Sequence, residues 1–471
     1  MTSMRDQSDV AGAIAAEDLE SLRAGLRGIA CVDGEDGYDE ARSIWNAMID
    51  RRPGVVVRCA GAADVIRAVR FANERGLGIA VRGGGHNIAG NAVGDGVVMI
   101  DLTPMKWVRV DPGARRAWVG GGATLSDVDR EAQAFALAVP SGINSTTGIA
   151  GLTLGGGFGW LTRRFGMTVD NLVAADVVTA DGEFVRANES ENPELFWAIR
   201  GGGGNFGIVT SFEFNLHPVG PEVFSGLIVH PFERAGELLR GFREVVAGAP
   251  DELTVWAVMR KAPPLPFVPP EWHGREVLVF AVCYAGSTAD GEKATASLRA
   301  LGEPIADVLG PHPFVAWQAA FDPLLTPGAR NYWKTHDFTE LSDGVIEVLI
   351  DAVSRLPGPE CEVFLAHVGG AMSRVAPDAT AYPDRSAHFI MNVHTRWRES
   401  AGDGTCIGWA RELFKATGPF ATGGGYVNFV PADEPERVER IYGANYPRLA
   451  EIKRHWDPQN RFRMNQNIRP N

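Results

Sequence analysis

Between residues 54 and 81 the apolar and polar positions fall into a strand–helix–strand pattern. Gly54-Val55-Val56-Val57 is a short unbroken apolar run of the kind a buried strand uses. Over 62–75 the apolar residues Val65, Ile66, Val69 and Phe71 or Ala72 recur at helical spacing, and Gly76 supplies a stop. Residues 79–81 form the next strand, which runs directly into Arg82-Gly83-Gly84-Gly85-His86-Asn87. No helical periodicity follows that turn, so this is not the strand–loop–helix that a Rossmann GxGxxG requires.

The pattern then turns strand-rich, with runs at 97–102, 106–111 and 115–119 separated by turn residues such as Asp111-Pro112-Gly113. Glycines 120–122 precede a helix with Thr124 as N-cap and Asp127 at capping-box spacing. Asp170-Asn171 opens a hairpin over 172–187 turned at Asp181-Gly182, 193–200 reads as a short helix, and a strand runs from Ile208-Val209-Thr210 to His217.

After Pro218 glycine clusters thin out. Strands such as 277–283 alternate with amphipathic stretches at 294–301 and 343–356, which predicts a second α+β domain with an antiparallel sheet over about 220–420. Residues 263–270 read as an exposed proline-rich loop. Two strands carry polar residues on a face that burial would make apolar: 363–368 with His367, and 388–396 with Asn392 and His394. Residues two apart share a face, so His388, Ile390, Asn392 and His394 project together; the plain alternative is a polar outer face. Near the end, Gly423-Gly424-Gly425 leads into Tyr426 and Asn428, read as neighbours on one strand face, and a helix follows over about 434–456. A terminus tied down this way belongs with the first domain.

Length and charge narrow the classes. A chain of 471 residues implies two or three domains, and a net charge of −13 argues against nucleic acid or an anionic membrane as partner. Five scattered cysteines without any CxxC argue for a reducing compartment and against a disulfide framework. The ten histidines show no HExxH or comparable spacing, so no metal site is expected. Residues 1–20 hold acidic side chains and no apolar core, and no long apolar run occurs; no signal peptide, no transmembrane helix and a cytoplasmic location are the expectations.

The 56 glycines are in excess and sit in clusters. Glycines 83–85 let the backbone take positive φ and approach a ligand closely. Successive N–H groups in such a turn suit a pyrophosphate, Arg82 adds a positive fork, and His86 ends the loop with a nucleophilic imidazole. The alternative is a tight turn carrying a surface histidine. Small and hydroxyl residues over 139–160 leave room and donors for a flat polar ligand, or serve a close crossing of two elements. Four glycine-rich loops, each beside a strand, suggest one extended cofactor threaded across several turns.

Together, Arg82-Gly83-Gly84-Gly85-His86, the 142–159 stretch, Asp170-Asn171, Glu194-Leu195-Phe196-Trp197-Ala198-Ile199-Arg200-Gly201 and Asn205-Phe206-Gly207-Ile208-Val209-Thr210 resemble the FAD domain of vanillyl-alcohol-oxidase-type (PCMH-type) flavoproteins. Tyr426-Val427-Asn428-Phe429 and the ending Asp457-Pro458-Gln459-Asn460-Arg461-Phe462-Arg463-Met464-Asn465-Gln466 are similar to the C-terminal segment of berberine-bridge-enzyme-like oxidases. The resemblance implies an α+β fold: an FAD-binding domain over 1–219 (core about 50–219), a substrate domain with an antiparallel sheet over 220–419, and a segment over 420–471 returning to the first. It implies that His86 is bonded covalently to the flavin. Many members add a thioether from a cysteine within 142–151; here Asn144 stands at that position, so a single link is expected, as in the hydroxynicotine-oxidase branch. The FAD contacts it assigns are Arg82, Gly83, Gly84, Gly85, His86, Asn87, Asn144, Thr147, Gly148, Gly151, Gly155, Gly156, Gly159, Ile208, Val209, Asn428 and Asn465. Tyr426 matches the family's YxN tyrosine and is the expected base, its pKa lowered by a neighbour such as Asn392 or His394.

The activity so implied is removal of hydride from a C–H beside an OH or NH of a small metabolite, in secondary metabolism, with dioxygen reduced to hydrogen peroxide. Two alternatives stay open, a dehydrogenase with another acceptor and a ligand-binding flavoprotein without turnover. The partners expected are a small-molecule substrate and dioxygen, with the chain a monomer or homodimer.

Overall fold

The computed structural model describes residues 14–470, so most of the stretch read for a signal peptide lies outside the described residues. Val55, Val56 and Val57 are fully buried because their strand, Val55–Arg58, lies inside a sheet covered on both faces. The sheet order is Ile29–Cys31, Val55–Arg58, Val98–Asp101, Ile79–Arg82; the last three strands are parallel and the first is an antiparallel edge. Helix Ala62–Glu74 makes the crossover, burying Val65, Ala68, Val69 and Ala72, and Gly76 ends it at φ +63°.

Arg82 and Asp101 are direct neighbours across this sheet. The guanidinium grips both Asp101 oxygens, at 3.0 and 2.8 Å, and donates to the Ser43 carbonyl at 2.9 Å. The positive fork expected for a phosphate is therefore occupied by a buried carboxylate, and Arg82 braces the root of the glycine loop instead. Asp101→Ala leaves that guanidinium buried and unpaired. The expected cost is about 3–5 kcal/mol, read from denaturant unfolding of the two proteins.

A five-stranded antiparallel sheet follows, in the order Val108–Asp111, Arg116–Gly120, Ile208–Asn215, Leu172–Val178, Phe184–Asn188. Val178, Ala180 and Ile208 share a core with the parallel sheet.

The third sheet is built from eight strands. Along its main path run Ala306–Asp307, Glu222–Pro231, Glu276–Tyr284, Leu253–Lys261, Glu362–His367, Phe389–Trp397 and Arg330–Phe338, with Gly310–Pro313 beside Glu222–Pro231. Strand alternation sorts its side chains. Val255, Ala257, Met259, Met391 and Val393 meet helices Ala235–Ala247, Asp343–Val353 and Asp403–Thr417, whereas Trp256, Phe364 and Ile390 meet Phe158, Trp160 and Tyr426. That second face lies across a cavity from the glycine loops, with its side chains largely buried. Asn392 and His394 are accordingly buried, which overturns the polar-outer-face alternative for them; His388 lies just before the strand and is exposed. His367 is buried too, 2.9 Å from Arg163 Nη1.

Two further readings are corrected. The proline-rich stretch is not a free loop: Ala262 and Val268 are buried against Val229, Val277 and Val279, with Leu265 and Phe267 half-buried over them. The C-terminal helix is two helices, Arg437–Tyr442 and Tyr446–Trp456, because Gly443 turns to φ +49° and Pro447 starts a new first turn. The tail then locks back through fully buried Lys453, whose Nζ donates to the Asn205 carbonyl (2.8 Å), Asp457 (2.6 Å) and the Phe462 carbonyl (3.0 Å). Among the described residues no helix is long and apolar enough to cross a membrane.

Candidate active site

Where the glycine loops meet the eight-stranded sheet they enclose a cavity. Gly84 and Gly148 touch backbone to backbone: a Cβ on either lies 2.3 Å from the other's nitrogen. Glycine is required there because two loops share one wall. Gly85, at φ +72°, turns the chain so that His86 and Asn87 line the cavity with Gly83, Gly84 and Gly85. Asn144, Thr147, Gly148 and Gly151 form the adjoining wall, and a Cβ on Gly151 meets nothing within 4 Å. Among the described residues, no acceptor takes the N–H groups of residues 83–87. Bare backbone, successive free donors and open space form a cradle that fits a flavin nucleotide.

His86 is held by two neighbours that the sequence did not single out. Its ring stacks on Trp45, centroids 5.1 Å apart at 20°, and Nε2 is 3.0 Å from Thr146 Oγ1. The Thr146 hydroxyl donates its one proton to Asn144 Oδ1 at 2.7 Å, so it accepts from His86 Nε2–H. Nδ1 therefore keeps the lone pair. Burial pushes the imidazole pKa down to about 4, so the ring is neutral and nucleophilic at physiological pH.

Tyr426 and Asn428 do meet, by a different geometry from the one expected. Val427–Phe429 is a single 3-10 turn rather than a strand, and Asn428 Nδ2 donates to Tyr426 Oη at 2.9 Å. The Gly157 N–H donates to the same oxygen at 3.1 Å. Burial pushes the phenol pKa up to about 12, against the lowering that these two donors supply. No cation sits on it, and neither Asn392 nor His394 bonds to it, so the expected depressed pKa is not found. With both acceptor sites taken, the Tyr426 O–H is left to donate.

Several expected contacts lie outside the cavity lining. Gly155 makes room for Asn428, since a Cβ there falls 2.3 Å from Asn428 Oδ1. Gly156, at φ +121°, turns beneath Tyr382, and Gly159 abuts the Ser141 carbonyl. Ile208 and Val209 are buried in the antiparallel sheet. Asn465 donates to the Phe462 carbonyl at 2.9 Å and leaves Oδ1 buried without a partner.

The sheet side joins His394, expected from the sequence, to Arg260, Glu362 and Trp333, which sequence reading missed. Arg260, Glu362, His394 and Trp333 are successive direct neighbours across four strands, and all four line the cavity. Arg260 Nη1 donates to Glu362 Oε2 at 2.7 Å, and His394 Nδ1 lies 3.2 Å from Glu362 Oε1. Burial alone raises a carboxyl, but Arg260 and His394 hold Glu362 at about 2. Asn392 lines the same cavity with both amide atoms unpartnered. Only strand register brings this row together, and register is not written in a single sequence.

Known families match the two ends of this site. Residues 53–188 match the family described as FAD binding domain, and residues 425–469 match the one described as Berberine and berberine like. The chain is 32% identical over 459 residues to the (R)-6-hydroxynicotine oxidase of Paenarthrobacter nicotinovorans, covering 94% of this chain and 97% of that one. It is 30% identical over 450 residues to an FAD-linked oxidoreductase of Dictyostelium discoideum, covering 94% and 95%. The crystal structure of the 6-hydroxy-D-nicotine oxidase of Arthrobacter nicotinovorans superposes with a TM-score of 0.86 at 29% identity, covering 95% of this chain and 98% of that one. The cradle, the paired ends of the site and these matches agree, and the chain belongs to the berberine-bridge-enzyme-like family of FAD-linked oxidoreductases within the vanillyl-alcohol-oxidase superfamily.

Proposed function

We propose that this oxidoreductase is an oxidase: it removes hydride from a C–H beside a hydroxyl or amino group of a small organic metabolite, and dioxygen takes the electrons. Residues 1–219 and 420–471 form the FAD-binding unit in this reading, and 220–419 form the substrate unit. FAD bonds through His86 alone. The observation that carries the reading is the His86 ring, held by Trp45 and Thr146 on a backbone cradle in a cavity that Tyr426 also lines.

Gly83–Gly85 and the 144–151 wall hold the cofactor, whose chemistry when bound is acceptance of a hydride and its passage to dioxygen. Tyr426 donates its O–H to the substrate oxygen, positioned by Asn428 and Gly157. Asn392 and His394 face the reacting end from the sheet. Cys31, Cys59, Cys283, Cys361 and Cys406 are all buried and none lines the cavity, which supports a single histidyl link.

The test is an oxygen electrode with peroxide detection over a panel of alcohols and amines. Oxygen loss matched mole for mole by hydrogen peroxide is the expected result. Turnover only with a quinone or dye, and none with oxygen, identifies a dehydrogenase instead.

A further inference from the structure

Resting on that oxidoreductase reading, we infer that His394 is the general base of the reaction and that the substrate is a neutral, largely apolar aromatic alcohol. Glu362, held ionised by Arg260, has only acceptors, so His394 Nδ1–H donates to it across 3.2 Å. In the neutral ring the remaining nitrogen, Nε2, carries the lone pair, and it is buried with no partner. A carboxylate that fixes the tautomer and orientation of an imidazole, and faces the imidazolium once formed, is the arrangement a proton acceptor needs. Arg260 and Glu362 are positioning residues, and His394 is the group that meets substrate.

Charge selects the substrate's reacting group. The one carboxylate among the described lining residues is Glu362, and both its oxygens are engaged, one by Arg260 and one by His394. An ammonium entering the cavity finds no free counter-charge, whereas a hydroxyl finds His394 Nε2 as acceptor and the unpartnered Asn392 amide as a second partner. Away from this polar end the sheet presents Val229, Val258, Val277 and Val279 under Leu265 and Phe267. These walls offer no hydrogen bonds, so they suit a flat hydrocarbon body and not a sugar.

The hydroxyl O–H bond breaks and its proton goes to His394 Nε2. The adjacent C–H bond breaks with its electron pair, hydride passing to oxidised flavin. The C=O double bond forms, and dioxygen is the final oxidant, taking the electrons and two protons to give hydrogen peroxide.

The test uses the holoprotein and 4-hydroxy-4′-nitrobiphenyl, a long phenol whose visible spectrum reports ionisation. At a pH where the free dye is neutral, the unsubstituted protein is expected to bind it as phenolate. His394→Gln is expected to bind it more weakly and as the neutral phenol, and Glu362→Gln to lower the ionised fraction by roughly tenfold or more. Retained flavin content and circular dichroism show that the variants are folded. Ionisation surviving in folded His394→Gln, or dye bound neutral by the unsubstituted protein, overturns the base assignment. If Glu362→Gln does not fold, the His394→Gln comparison decides alone. By calorimetry 4-phenylbenzyl alcohol is expected to bind at least about tenfold tighter than 4-phenylbenzylamine; the reverse order overturns the substrate class. Flavin bleaching by the alcohol reads the redox function separately. Dye ionisation without bleaching keeps His394 as a base and removes the oxidase reading, whereas bleaching without dye ionisation does the opposite.

Discussion

Replacing His86 with alanine is expected to give a folded yellow protein that releases all its flavin in acid. In the unsubstituted chain, flavin fluorescence is expected to stay with the protein band on a denaturing gel. The effect is all-or-none because one atom carries it. Thr146 takes the His86 Nε2–H, the ring is kept neutral with a pKa of about 4, and Nδ1 alone is left with a free lone pair. No second nucleophile replaces it: Asn144 occupies the loop position expected for a cysteine, and the five cysteine thiols are buried away from the cavity. Loss of the Trp45 stack costs only about 0.5–1.5 kcal/mol, so folding survives. Fluorescence that persists in the band of His86→Ala identifies another attachment point and removes this part of the account.

Tyr426→Phe is the second large effect. The Tyr426 oxygen already accepts from Asn428 Nδ2 and the Gly157 N–H, so its own proton is available to a substrate oxygen on which negative charge develops. Removing one such preorganised donor from a buried site slows the chemical step by roughly 10²–10³-fold. The expected result in stopped-flow reduction is that loss, with acid-stable flavin content unchanged. Because the phenol is pushed up to about 12, it is not a base near neutrality, and the rate is expected to show no inflection from Tyr426 between about pH 6 and 9. A Phe variant that reduces its flavin as fast as the parent contradicts the donor role.

How much of this was legible in the chain follows from what kind of information each feature needs. The strand–helix–strand at 55–82, the hairpin after Asn171 and the antiparallel sheet of the middle region are local periodicities, and the structure contains all three. The glycine triplet and His86 carry their chemistry within five residues. Arg82 misled because its partner, Asp101, is nineteen residues away on a neighbouring strand. Tyr426 and Asn428 read as neighbours on a strand face, but they meet across a 3-10 turn, which brings residues two apart together as readily as a strand. The row Arg260–Glu362–His394–Trp333 spans four strands over more than a hundred residues, and only register assembles it. The proline-rich stretch showed its turns but not that Val268 and Phe267 fold back over the sheet. Motif chemistry was readable, and cross-strand chemistry was not.

A hydroxyl-bearing carbon is expected to reduce the bound flavin directly, and oxygen to restore it. The most direct measurement is one anaerobic addition of 4-phenylbenzyl alcohol to purified holoprotein, followed by visible absorbance and then by admission of air. Bleaching of the yellow colour, its return in air and one hydrogen peroxide per cycle are the predicted result. A flavin that stays oxidised with this alcohol and with every alcohol and amine of the panel, in protein that binds them, contradicts the account and leaves a ligand-binding flavoprotein.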